Sequence, residues 1–238
     1  MGKIAISNGL LFIFLQEQLW EMLVGLFLLN YLVSRSFMVK SQGIQHKLER
    51  DKFEQMAYTD FLTEVYNRTY MDKIMKELNQ SGEHLGIIVT DIDTFKRIND
   101  TYNHAVGDYV IQHFAATLQS LLKDGDYLFR SGGEEFTIFL RNRDYQQCIT
   151  LVNKLQKVIE KSAVKAEYQS KEKMISFTAS FGLYFYKTNK YIDIKKAYTY
   201  ADDLLIQAKK LGKNTVSIKN GLLEVPISHE LKSNNHCK

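Results

Sequence analysis

Tyr127-Leu128-Phe129-Arg130-Ser131-Gly132-Gly133-Glu134-Glu135-Phe136-Thr137-Ile138-Phe139-Leu140 is the stretch on which the fold turns. Two runs rich in aromatic and β-branched residues, 127–130 and 136–140, flank Ser131-Gly132-Gly133, and this predicts a β-hairpin. The glycines allow a tight turn and let a bulky ligand approach the backbone. Two glutamates directly after the turn are costly unless a cation or solvent meets them. A plain hairpin with solvated acids is the alternative.

Outward from the hairpin the pattern alternates. Upstream, Leu85-Gly86-Ile87-Ile88-Val89-Thr90-Asp91 reads as a buried strand ending in a carboxylate, and 71–78 reads as a helix. Between strand and hairpin, 106–122 is helical, with Val110, Ile111, Phe114, Ala115 and Leu118 at three-to-four spacing. Downstream, 145–161 is an amphipathic helix and 174–186 is β-rich. Residues 194–211 form a helix that Gly212 can stop, and 215–218 is a last short strand. This order predicts an α+β domain with one central sheet and helices over it. From Asn220 the tail is polar and expected to be loose.

The N-terminal region is different. Met22 to Val33 is nearly all apolar, and a span of ~20 residues is reached over 19–39 only by including Glu21, Asn30 and Arg35. A membrane span is preferred, the last of several if the chain is part of a longer protein; a buried or interfacial amphipathic helix is the alternative. Arg35, Lys40, Lys47, Arg50 and Lys52 follow it, which predicts a cytoplasmic C-terminal side. No small-residue cleavage site follows a compact apolar core, so a signal peptide fits poorly. The predicted divisions are an apolar segment 1–40 with the membrane span, a helical connector 41–57, a domain 58–219 and a tail 220–238.

Composition narrows the chemistry. The 238 residues are 45% hydrophobic and 24% charged, which is ordinary for a globular chain. Cys148 and Cys237 stand alone, against a disulfide framework or zinc site and in favour of a reducing compartment. A net charge of +4 suits a phosphate-rich ligand or an anionic membrane face and demands no nucleic-acid polymer as partner. The single proline, Pro226, leaves the long elements uninterrupted.

Four groups of residues can carry chemistry. Asp91-Ile92-Asp93 puts two carboxylates on one side of a strand end, the kind of oxygen Mg²⁺ prefers when substrate phosphates complete its shell; alternatively, Asp91 caps the helix that follows. Asp91 and Glu134 could meet on adjacent strands as a divalent-metal site. Asn99 and Asp108, nine apart across a turn, could face one pocket and read a guanine edge; the alternative is a loop and a helix N-terminal charge. Lys209 and Lys213, four apart at a helix end, could share a face and grip a triphosphate, or simply complement the helix dipole.

Here the chain resembles the GGDEF family. Asp60-Phe61-Leu62-Thr63-Glu64-Val65-Tyr66-Asn67-Arg68 resembles its opening motif, and Asp91-Ile92-Asp93-Thr94-Phe95-Lys96 through Gly107-Asp108 its metal and guanine segment. Gly132-Gly133-Glu134-Glu135-Phe136 is its signature in the GGEEF form. Ala201-Asp202 through Ala208-Lys209, then Gly212-Lys213-Asn214, resembles its closing helix. The similarity covers roughly 57 to 219 in the expected order.

The resemblance implies a fold related to adenylyl cyclase catalytic domains, with a mainly antiparallel central sheet, and a diguanylate cyclase that condenses two GTP into cyclic di-GMP. It implies that Asp91, the carbonyl of Ile92 and Glu134 hold Mg²⁺, with Mn²⁺ as a substitute. Asn99 and Asp108 would read guanine with Lys96 and His104 nearby, and Lys209 and Lys213 would hold the terminal phosphates. Glu134 would accept the hydroxyl proton, and Glu135 would help position the ribose or the metal site. Two domains would meet as a homodimer, each with one GTP, beside the cell membrane and in the cytoplasm. A non-catalytic GGDEF signalling module is the second reading.

There are departures. Ser131 replaces the bulky residue often found before the glycines, Asn103 stands where Gly is usual, and Lys213 where Arg is common. The family's inhibitory RxxD position reads Lys123-Asp124-Gly125-Asp126, without the arginine fork.

Overall fold

A computed structural model describes residues 2–79, 81–188 and 193–224. The chain forms two compact units, Met1–Gln55 and Met56–Lys238. Helix α1 (Gly2–Tyr58) runs without a break at residue 40, so one helix carries both the predicted span and the predicted connector. Trp20, Phe27, Leu32 and Phe37 are exposed on it. Among the described residues it is the one helix long and apolar enough to cross a membrane, with a mean hydropathy of 1.6 in its most apolar stretch.

The second unit follows the order β1 (Tyr66–Asn67), α2 (Arg68–Leu78), β2 (His84–Ile92), α3 (Phe95–Thr101), α4 (His104–Leu121), β3 (Tyr127–Arg130), β4 (Glu135–Arg141), α5 (Tyr145–Glu160), β5 (Ala163–Tyr168), β6 (Lys171–Ser176), β7 (Ala179–Lys187), α6 (Ile194–Lys210) and β8 (Val216–Asn220). Six strands make one sheet in the order β1-β3-β4-β2-β7-β8. The inner pairings are antiparallel; only the edge strands β1 and β8 pair parallel. The expected α+β architecture, with a mainly antiparallel sheet flanked by helices, is therefore observed.

Strand β2 shows why the sheet lies between two helix layers. Its side chains alternate by face. Ile88 and Ile92 join the core under α3, α4 and α5, with Phe114, Phe136 and Leu155. Leu85, Ile87 and Val89 join the opposite core under α2 and α6, with Met71, Ile74, Ala201 and Leu205. Burying both faces explains the nearly unbroken apolar run in its sequence. At Gly182 of β7, α6 lies against the strand backbone: a Cβ there would fall 2.2 Å from the Ala201 carbonyl oxygen and 2.3 Å from the Leu205 nitrogen.

Caps start the helices where side chains can replace missing backbone partners. The Asn67 carboxamide accepts from the Tyr70 N–H at 3.0 Å, and Asp144 and Gln147 form a reciprocal capping box. Cys148 packs beneath Gly86, buried, and its thiol is pushed up to about 12 by that burial.

Three expectations change. The β-rich stretch 174–186 is two strands in different sheets, broken at Phe177-Thr178. Strand β5 was not expected; it pairs with β6 in a separate hairpin whose turn holds Gln169 and Ser170 at φ 53° and 58°. Such a turn usually advertises itself by Asn-Gly, and here it does not. At the other end, Asn220 closes β8 and Gly221–Glu224 form a 3₁₀ turn packed on Tyr184, so the chain stays on the sheet past the expected start of the tail. The rest of that tail, from 225, lies outside the described residues.

Candidate functional site

The site forms where β2 and β4 end side by side. In the register of these strands Asp91 faces Glu135 on one flank, and on the other it faces Ser180 of β7. Asp91 is buried, and its carboxylate oxygen lies 2.8 Å from Nζ of Lys209 on α6. Burial raises its pKa above the ordinary carboxylate value; Lys209 and, more weakly, Lys213 oppose this, while Asp93 adds to it. Glu134 is also raised, first by burial and then by the charge of Asp91, with Lys209 opposing. A buried carboxylate and a partly buried one thus repel each other, and one ammonium is paired with the first. That is an arrangement short of positive charge, and a hard divalent cation would supply it. Among the described residues no three His, Cys, Asp or Glu side chains form a metal cage. The donors fit an ion that draws most of its shell from phosphate and water rather than from protein. Ile92 is the last residue of β2, paired with Ala179.

The turn between the strands is braced from outside. Arg130 donates through Nε (3.0 Å) and Nη2 (2.8 Å) to the Gly133 carbonyl and through Nη1 (2.9 Å) to Asp60. Asp60 also accepts from the N–H and hydroxyl of Thr63, and its carboxyl is held below its ordinary pKa by these bonds and Arg130 against the opposing effect of burial. Glu135 accepts at its carbonyl from the Ser131 and Gly132 N–H groups. Its carboxylate folds over Gly132, where a Cβ would meet Oε2 at 2.7 Å. The sequence reading assigned Arg130 no role; the signal was an arginine just before the turn, paired with the opening Asp-x-x-Thr.

Asp93 departs from the expectation of two carboxylates serving one metal. It lies just past β2 and accepts from the hydroxyls of Thr178 (2.7 Å) and Ser180 (2.7 Å) and from the Asn214 N–H (2.8 Å). Its oxygens are occupied in joining three segments.

Asn99 on α3 packs its side chain against Gly107 of α4, the residue before Asp108. A Cβ on Gly107 would fall 2.0 Å from Asn99 Oδ1, so only glycine leaves that oxygen its place. Asn99 Oδ1 is buried and has no hydrogen-bond partner among the described residues. Asn103 caps α4 by accepting from Val106 N at 2.9 Å, which accounts for an asparagine where glycine is usual. Lys96, His104 and Asp108 are exposed.

Lys209 and Lys213 do not share a helix face. Helix α6 ends at Lys210, and Gly212 (φ 121°), Lys213 (66°) and Asn214 (46°) follow in left-handed conformation. A turn, not i,i+4 spacing, puts Lys213 within electrostatic reach of Asp91.

At the inhibitory position, Asp126 is turned inward. Its side chain is 0% exposed in an ion pair with Arg143, and it also accepts from the N–H groups of Lys123 (3.1 Å) and Arg141 (3.2 Å). A ligand would have to displace all three. If the domain forms cyclic di-GMP, as the resemblance implies, added product is therefore expected to leave initial rates unchanged through this position. Inhibition at low product that Lys123→Ala relieves would contradict this.

Comparison with known proteins defines the class. The family model "Diguanylate cyclase, GGDEF domain" matches residues 57–215, and the chain belongs to the GGDEF family. It is 36% identical over 165 residues to the diguanylate cyclase VdcA of Vibrio cholerae, covering 69% of this chain and 48% of that one. An uncharacterised membrane protein of Staphylococcus saprophyticus is 30% identical over 170 residues, covering 70% and 47%. The chain thus spans about half the length of the curated relatives it matches. The coiled coil and GGDEF domain of DgcB from Caulobacter crescentus, solved with c-di-GMP, superposes with a TM-score of 0.70 at 23% identity, over 79% of this chain and 99% of that one, and supports the fold.

Proposed function

We propose that the domain is a diguanylate cyclase that condenses two GTP into cyclic di-GMP and two pyrophosphates. The observation that carries this reading is buried Asp91, ion-paired with Lys209 at the end of β2 beside the turn that bears Glu134. Asp91, the Ile92 carbonyl and Glu134 would hold Mg²⁺, or Mn²⁺ in its place. The ion, when bound, supplies the positive charge that phosphoryl transfer needs.

The chain's own residues do the rest. Lys209 leaves Asp91 for the terminal phosphates, joined by Lys213. The orphan acceptor of Asn99 takes an N–H from the guanine edge, and Asp108 takes another, with Lys96 and His104 beside them. Adenine offers no matching pair of N–H donors to Asn99 and Asp108. Glu134 accepts the proton of the 3′-hydroxyl as its oxygen bonds to the α-phosphorus of the other GTP; the bond to the β-phosphate oxygen breaks and pyrophosphate leaves. Glu135, over Gly132, keeps the turn and ribose in position. Repeating the transfer from the second GTP closes the ring. Rate is gained chiefly by alignment and charge neutralisation.

One domain holds one GTP, so two must face each other. Helix α1 anchors the chain in the membrane with the domain on the cytoplasmic side and raises the effective concentration of paired domains. The test is incubation of the full chain in membranes with Mg²⁺ and GTP, with cyclic di-GMP detected by mass; no product means no cyclase. A domain beginning at Met56 is expected to lose specific activity on dilution, while the full chain in membranes keeps it. Constant specific activity at concentrations where the truncated domain sediments as a monomer would refute pairing.

A further inference from the structure

We propose that Asp93 and Asn214 are positioning residues that lock the 212–214 turn so that Lys213 is held ready for the terminal phosphates of the nucleotide. The inference rests on the cyclase reading and extends it to residues with no assigned role. Its starting point is a backbone outlier. Lys213 and Asn214 both have positive φ without being glycine, and such conformations are costly and persist only where the surroundings hold them.

The surroundings here are specific. Every polar group of Asn214 is used. Its N–H donates to Asp93 Oδ2 (2.8 Å) and its Nδ2 donates to Glu160 Oε1 (2.8 Å). Its Oδ1 and its main-chain carbonyl both accept from Gln156 Nε2, at 2.6 and 3.2 Å. Asp93 in turn is fixed by Thr178 and Ser180, and its own N–H donates to the Thr178 carbonyl at 2.8 Å. Helix α5 and Asp93, which follows β2 and is tied to Ser180 of β7, therefore converge on the residue next to Lys213. None of these bonds engages the Lys213 side chain, which stays exposed. A turn held so tightly beneath an exposed ammonium suits a group that must meet a ligand with little loss of entropy. The charge of Lys213 already reaches Asp91, at the metal end of the site.

A merely structural turn would affect all nucleotides alike. A positioning role shows only where there are terminal phosphates to grip, and only through Lys213. The test measures binding of 3′-deoxy-GTP, which lacks the attacking hydroxyl, and of GMP to the full chain with Mg²⁺. Asn214→Ala is expected to weaken 3′-deoxy-GTP about tenfold, the worth of one well-placed charge-assisted bond, and to leave GMP unchanged. Gln156→Ala, which removes only the support from α5, should do the same more mildly and covers the case in which Asn214→Ala fails to fold. In a Lys213→Ala background both substitutions should have no further effect on 3′-deoxy-GTP, because interacting sites are not additive. Equal losses for the two nucleotides, no loss for either, or losses that persist without Lys213 would each overturn the proposal. Wild-type protein that binds neither nucleotide would instead overturn the cyclase reading, and the proposal with it.

Discussion

Asp91→Asn and Glu134→Gln are each expected to lower cyclic di-GMP formation by about three orders of magnitude, roughly 4 kcal/mol of transition-state stabilisation, while the domain stays folded. Each change keeps the shape and removes one of the two charges that would hold the ion. The same variants should be no less stable than wild type. Asp91 and Glu134 have pKa values raised by burial. A carboxyl whose folded pKa lies above its unfolded value favours folding fully below the unfolded pKa, and that contribution is lost as pH rises through the folded pKa. At neutral pH both groups are therefore a burden on the fold. Asn at 91 should raise the melting temperature at pH 7, with the gain fading as the buffer is taken down towards the ordinary carboxylate range. Activity near wild type in either variant would remove the metal assignment. A fall in melting temperature at pH 7 would remove the electrostatic account of the site.

Gly182→Ala is expected to be the most damaging single methyl in the domain. The added carbon would lie 2.2 Å from one backbone atom of α6 and 2.3 Å from another, and neither is the end of a flexible side chain. The helix must move bodily, and it carries Lys209. Overpacking of this kind costs roughly 3 kcal/mol, which lowers the melting temperature of a domain this size by about 6–12 °C. Gly133→Ala is the control, since a Cβ there meets nothing within 4 Å. Equal melting temperatures for Gly182→Ala and wild type would mean that α6 is not seated as described.

Much of the architecture could be read from periodicity and turn residues. The hairpin of β3 and β4, the buried strand β2 and helices α4, α5 and α6 each have a pattern long enough to leave one reading. Strand β5 escaped because Val164-Lys165-Ala166-Glu167 is short and its turn residues, Gln169 and Ser170, are unusual at left-handed φ. Strand β1 is two residues long and has no pattern at all. At the site, Asp91 and Glu134 could be expected close together because one lies at the end of β2 and the other in the turn before β4. The work of Asp93 could not, since it depends on Thr178, Ser180 and Asn214, which are distant in sequence. Lys213 was placed by helix spacing, and a left-handed turn proved to be what positions it.

Under the proposed function, the ion pair of Lys209 with Asp91 would make two binding events interdependent. The ammonium pairs with the carboxylate, and a cation arriving alone would have to compete with it. A triphosphate that draws Lys209 away leaves Asp91 uncompensated and raises its appetite for the cation. The free-energy coupling works equally in both directions, so the nucleotide must tighten the ion by the same factor as the ion tightens the nucleotide. A domain that acts as proposed would thus recognise the salt of its nucleotide rather than either component alone.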